Sequence, residues 1–259
     1  VEDAFNARAE PFSNSVCLGL FSSTDFIGNI MREEKITSKI KESWALGEDR
    51  RKLKDYYQKW ASSYDDDVAR EQYFAPKVAI DLILELYHQR DSFRQPNDQV
   101  KEQKVSLSTM KVLDAGCGTG LVGALLAQVG ARQISGFDLS AEMVAQAKQK
   151  NIYDKLLEGV DITQPLVDQI DASDFDLVTC IGVLTQGHVP PLGLDRLIEV
   201  TRVNGYVVLN ARDTYVREHD FKAYCDGLQD EGRLKFLHCE YHLSSGDSQA
   251  LFVVAQRLK

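Results

Sequence analysis

Residues 112–123 read VLDAGCGTGLVG. An apolar lead-in runs into an acid, Asp114, and then into four glycines, Gly116, Gly118, Gly120 and Gly123. Glycine at this density marks a backbone that must turn sharply and come close to another group. Gly118 to Gly123 fits the pattern GxGxxG, which is weak alone but gains meaning between a strand and a helix. Here the apolar run before it reads as a strand, and the residues after it read as a helix over 120–129.

Outward from this stretch the same alternation repeats. Apolar strand-like runs fall at 110–115, 133–138, 155–160, 175–181 and 205–210. Helical patterns fall between them at 120–129, 140–150, 164–170 and 191–201. Strand, helix and strand at this spacing make βαβ units and a parallel sheet, and strands covered on both faces are nearly all apolar, as these are. After a helix expected over 217–230, the runs 234–243 and 250–256 are joined by SSGDS and read as an antiparallel hairpin. The fold class is α/β, a doubly wound sheet.

Upstream, Phe26, Ile27, Ile30, Met31, Ile36 and Ile40 recur at helical spacing. Residues 1–45 are therefore expected to be a partly helical extension, and 46–259 the main domain. The apolar stripe of the extension suits either a homodimer contact or folding back onto the domain. Residues 48–68 read as one polar helix running into an aromatic and acidic loop, and 76–90 as a helix with Pro76 in its first turn. The formal net charge of −9 disfavours extended nucleic-acid binding. No apolar run is long enough to span a membrane. The five cysteines are scattered and form no CxxC pair, which argues for reduced thiols in a cytoplasmic enzyme and against a disulfide framework or a metal site.

Which ligand would the glycine loop hold? A nucleotide P-loop is excluded, because no GK[ST] follows, which leaves a dinucleotide or another adenosine ligand. Asp114 separates them. A carboxylate there would oppose a pyrophosphate, and like charges about 4–6 Å apart at an intermediate dielectric repel by energies on the order of kcal/mol. S-adenosyl-L-methionine carries a sulfonium and an ammonium group and no phosphate. Asp138 closes the second strand, where an acid can accept from both ribose hydroxyls, and Asp161 follows the third, within reach of an adenine amino group.

The run DAGCGTG, 114–120, resembles the first motif of the class I S-adenosylmethionine-dependent methyltransferases. The resemblance covers roughly residues 50–259 and implies a Rossmann-like seven-stranded sheet of order 3-2-1-4-5-7-6, with the seventh strand antiparallel. It also implies that Gly116 and Gly118 line the methionine end, that Asp138 holds the ribose, that Leu139 and Ile162 flank adenine, and that Asp161 touches its amino group. The register departs from the family at Gly159-Val160-Asp161, one residue longer than the usual Gly-Asp. DYYQKWASSYDDDV at 55–68 and FDLVTCIGVLTQGHVPP at 175–191 resemble the methyltransferase-like proteins of the Williams–Beuren syndrome region.

Methyl transfer needs alignment, exclusion of water and, for a hydroxyl or ammonium acceptor, a base. His188, in the loop after the fourth strand, is the candidate general base, with an ordinary pKa near 6.5; the alternative is that Gln186-Gly187-His188 only turns the chain. His242 is a weaker candidate, and Arg212 with Asp213 can hold a charged substrate group. Tyr56, Tyr57, Trp60 and Tyr64 share one face of a single continuous helix, as core or as an aromatic lid, and the resemblance places Trp60 and Tyr64 near the cofactor. The acids 65–67 read as a solvated loop. Cys117 and Cys180 read as packing residues, Cys180 beside the cofactor. The expected activity is methyl transfer to oxygen or nitrogen of a small molecule. The alternatives are a protein methyltransferase or a non-catalytic binder of the cofactor.

Overall fold

A computed structural model describes residues 39–44, 46, 49–92, 106–170, 173–185 and 189–259. Most of the expected N-terminal apolar stripe, Phe26 to Ile36, lies outside these residues, and so does His188.

Seven strands form one sheet: β1 Lys111–Ala115, β2 Gln133–Asp138, β3 Lys155–Glu158, β4 Phe175–Leu184, β5 Thr201–Arg212, β6 Leu234–Ser245 and β7 Ser248–Arg257. Their order is β3-β2-β1-β4-β5-β7-β6. β1 to β5 pair in parallel, whereas β7 runs antiparallel to both β5 and β6. The helices in chain order are α1 Lys39–Trp44, α2 Arg50–Trp60, α3 Tyr64–Arg70, α4 Ala75–Ser92, α5 Leu121–Gln128, α6 Ala141–Gln149, α7 Leu192–Val200, α8 Asp213–Glu218 and α9 Phe221–Asp230.

Strand alternation explains the two cores. Val112, Leu177, Val208 and Phe252 pack on one face against Ala79, Ile83 of α4 and Leu126 of α5. Their chain neighbours Leu113, Val178, Val207 and Leu251 pack on the other, against Leu194 and Leu197 of α7, Tyr215 of α8 and Phe221 of α9. Each side chain along a central strand therefore meets a helix, which is why these strands read as unbroken apolar runs. The chain moves outward from β1 to β3 and then returns to β4, so the order reverses between β1 and β4. The crevice beyond the carboxyl ends of these two strands is the ligand position of such sheets.

Ser38 to Lys259 form one compact unit, which includes α1. Two expectations change. The helix expected near 164–170 is a single tight turn at Leu166–Asp168. The one expected over 217–230 is two helices, α8 and α9, divided at Asp220, which takes a left-handed φ of 46°.

Candidate active site

The glycine loop begins where β1 ends. Gly116, Gly118 and Gly120 all take positive φ (68°, 55° and 89°), a region that favours glycine. A Cβ on Gly116 would stand 2.4 Å from Val183 Cγ2, whereas around Gly118 the space is open to 4 Å. Gly123 serves a different neighbour. A Cβ there would lie 2.2 Å from Tyr153 Oη, and one on Gly136 would lie 2.9 Å from the same ring. The two glycines make room for Tyr153 to reach the end of β1. Its hydroxyl donates to Asp114 Oδ2 at 2.7 Å.

Asp114 is turned into the protein and does not line the cleft. It is 1% exposed and also accepts from Gly123 N at 3.1 Å and from Thr179 Oγ1 at 3.1 Å. Burial pushes its carboxyl up to about 6, against these hydrogen bonds. The electrostatic reading of Asp114 as a direct contact to a cationic ligand therefore needs correction. The carboxylate binds the first turn of α5 and clamps the loop, leaving the ligand to the backbone.

The cleft beside the loop has about 820 Å³ of space, its open mouth included. Asp138, at the end of β2, is held by Gly118 N on Oδ2 and Ser140 N on Oδ1, each at 2.9 Å. Each oxygen keeps a second lone pair, so the carboxylate can still accept from two vicinal hydroxyls. Leu139 and Ile162 line the cleft with Met143 and Val160, which makes an apolar slot on that side. Asp161 stands at its edge rather than in its lining. Its Oδ1 meets Arg50 Nη1 at 2.6 Å and accepts from Thr163 Oγ1 at 2.7 Å.

Over this cleft lies the N-terminal aromatic segment. It is two helices, not one, because the chain turns at 61–63 between α2 and α3. Trp60 meets Tyr64 edge-on across that turn, with ring centroids 4.6 Å apart. Tyr57 and Tyr64 line the cleft, whereas Trp60 lies deeper, 4% exposed, with its indole N–H donated to Asp67 Oδ2 at 2.9 Å. The acids 65–67 are the first turn of α3 and not a solvated loop. Asp65 accepts from Thr119 Oγ1 in the glycine loop and from Lys150 Nζ at 2.7 Å. Asp67 accepts from Lys39 Nζ at 2.7 Å and Ser63 Oγ at 2.8 Å. These contacts hold its carboxyl down at about 2, the Lys39 bond foremost.

Residues 106–249 match the sequence profile of a family described as a methyltransferase domain. The chain belongs to the S-adenosyl-L-methionine-dependent methyltransferases. Methyltransferase-like protein 27 of Homo sapiens is 32% identical over 157 residues, 61% of this chain and 56% of that one. The malonyl-[acyl-carrier protein] O-methyltransferase of Pectobacterium atrosepticum is 36% identical over 103 residues, 39% of this chain and 38% of that one. The chain thus spans about half the length, or less, of these curated relatives. A solved structure of a proposed RNA methyltransferase from Pyrococcus horikoshii shares the fold, with a TM-score of 0.50 and 15% identity over 73% of this chain and 86% of that one.

The cleft of this methyltransferase fits the family's cofactor. Asp138 suits the ribose, the apolar slot suits adenine, and the space that Gly118 leaves empty admits the methionine portion. Cys180, expected beside the cofactor, is fully buried and does not line the cleft, and burial pushes its thiol up. Cys117 is likewise a buried filler.

A second recess opens on the far side of Tyr57, Tyr64 and Gly182, which line both. Trp60, Tyr73, Asn210 and Arg212 line it too, and Ser244, Ser245 and Ser248 reach it from the β6–β7 hairpin. Asn210 Oδ1 accepts from Gly182 N at 2.8 Å and so shapes the shared wall. The hairpin is held against the α3–α4 loop by Phe74 N donating to Ser244 O at 2.8 Å. Burial lowers the Arg212 guanidinium to about 10. Sequence reasoning anticipated Arg212 but not Arg50, Tyr73, Asn210 or the hairpin serines. No local pattern marks them; each arrives through a contact distant in the chain.

Proposed function

We propose that this methyltransferase moves a methyl group from S-adenosyl-L-methionine to an oxygen or nitrogen of a small-molecule acceptor. The observation that carries the reading is the pair of recesses sharing Tyr57, Tyr64 and Gly182. The two recesses meet at these residues. In this reading an acceptor in the second approaches the methionine end of the first there, in direct contact with the methyl carbon. When bound, S-adenosyl-L-methionine supplies a methyl carbon activated by its sulfonium.

The chain's own residues do the rest. Asp138 and the glycine loop fix the donor, and the α2–α3 aromatic lid keeps water out, so the reacting groups are aligned in a dry site. Arg212 holds an anionic or polar end of the acceptor. The tyrosine hydroxyls at the wall are donors rather than bases, since burial lifts Tyr57 to about 12 and Tyr64 and Tyr73 upward as well. We assign proton removal to His188, which follows β4 in the sequence. The O-methyltransferase relative supports oxygen as the acceptor atom.

Calorimetric titration with S-adenosylhomocysteine tests the first half. Micromolar binding is expected, weakened about 10- to 100-fold in Asp138→Ala, the worth of one or two hydrogen bonds to a charged group. Absence of binding to wild type would remove the proposal. A screen of small metabolites with isotope-labelled donor tests the second half, and label appearing only in protein would favour a protein acceptor. Label in no acceptor at all would favour the non-catalytic binder. With an acceptor in hand, His188→Ala should lower kcat by about 10²–10⁴ and leave the S-adenosylhomocysteine affinity unchanged.

A further inference from the structure

The edge strand β6 carries His238, Glu240 and His242 at alternate positions, so the three side chains share one face. Pairing with β7 shows which face. His238, Glu240 and His242 stand opposite Val254, Phe252 and Ala250, and those three belong to the core beneath α4. A β-bulge between Phe236 and His238 sets this orientation. Phe236 and Cys239 both pack on the opposite core although they are three residues apart, which regular alternation forbids. The extra residue, Leu237, is 40% exposed. Bulges re-aim side chains in this way.

The two imidazoles converge. Nε2 of His238 and Nε2 of His242 are 3.0 Å apart, with the rings tilted by 26° and their centroids 5.1 Å apart. One carboxylate oxygen of Glu240 lies within 4.8 Å of a ring nitrogen of each histidine. Phe252, fully buried, backs the His242 ring edge-on at 5.6 Å between centroids. An ion about 2.05 Å from two nitrogens at this 3.0 Å separation sees them at roughly 94°, between octahedral and tetrahedral ligand angles. Glu240 is exposed, and an ion held by all three residues requires its carboxylate to turn toward the two imidazoles.

We propose that His238, Glu240 and His242 bind one divalent transition-metal ion of the zinc class, on the outer strand of the sheet and apart from the methyl-transfer cleft. Two imidazoles and a carboxylate are a zinc-compatible donor set, and the open position takes water. The cysteine spacing that spoke against a metal has no bearing on this set, because no thiol enters it. Cys239 lies in the same strand but faces the other way.

The full chain, stripped with chelator and titrated calorimetrically with zinc chloride, should bind one equivalent at micromolar affinity. His238→Ala and His242→Ala should each weaken zinc binding about tenfold or more, and Glu240→Gln should weaken it less. Cys239→Ser should leave it unchanged, and S-adenosylhomocysteine affinity should stay at the wild-type value throughout, which also reports that the variants are folded. Cobalt(II) on wild type should give ligand-field bands without a thiolate charge-transfer band, a readout that needs no variant. Failure of wild type to bind zinc would overturn the site. So would undiminished binding in His242→Ala, loss of binding in Cys239→Ser, or a thiolate band with cobalt.

Discussion

Gly123 has no side chain, and Tyr153 uses the space. A Cβ on Gly120 would also stand 3.1 Å from the Tyr153 ring, so Gly120 and Gly123 serve packing, while Gly116 and Gly118 serve the cleft. Gly123→Ala should push Tyr153 off Asp114 and destabilise the protein by about 1–3 kcal/mol, the usual cost of overpacking. Thermal unfolding would read this as a fall in Tm of roughly 2–4 °C per kcal/mol. Asp114 itself gives a pH signature. Its folded pKa of about 6 lies above the ordinary 3.8, so the folded state binds the extra proton between those values. This contribution to stability is fully present below pH 3.8 and is lost as pH rises through about 6. Asp114→Asn should flatten the dependence of Tm on pH within that window; an unchanged slope would mean that the carboxyl is not held as described.

At the scale of elements, α3 is a clamp. Its first turn holds Thr119 and Lys150 through Asp65, and Lys39, Ser63 and Trp60 through Asp67. One short helix therefore joins the glycine loop, the end of α6 and the helix α1. Asp67→Asn should cost about 1–3 kcal/mol, because Lys39 and the Trp60 indole keep their places while the charge they bind is gone. The carboxyl of Asp67 is held at about 2, so its stabilisation is complete above 3.8 and is lost as pH falls through about 2. Below pH 4 the variant should lose stability less steeply than wild type, as circular dichroism of thermal unfolding would show. Acidic runs are usually solvated, and here the run fell at a helix start facing three cations, Lys39, Lys150 and Arg70, two hydroxyls and an indole N–H. No pattern within 65–67 announces those partners.

The whole molecule divides at Ser38. A chain starting at residue 38 is the reference for the truncation. A chain starting at 47 loses the Lys39–Asp67 ion pair and the Ile40 and Ser43 contacts to the second recess, so it should melt lower and bind acceptor more weakly. Equal behaviour of the two truncations would show that α1 contributes nothing to the fold or the recess. Among the described residues no helix is long and apolar enough to cross a membrane.

The sequence by itself determined the sheet. Strand periodicity, the helices between strands, the glycine loop and the acids after β1 and β2 are local features, and local features are legible because dihedral preference and burial act residue by residue. Asp138 was readable for the same reason, standing at a strand end beside the loop it binds. The direction of each side chain was not. Asp114 turned inward because Tyr153, 39 positions later, fills the gap over two glycines. The aromatic segment broke into two helices around a turn, and Arg50 came down on Asp161. The bulge at Leu237 aimed His238, Glu240 and His242 at one point. Only the tertiary structure decided these matters, because each depends on which distant group occupies the neighbouring volume, and a one-dimensional pattern carries no record of volume.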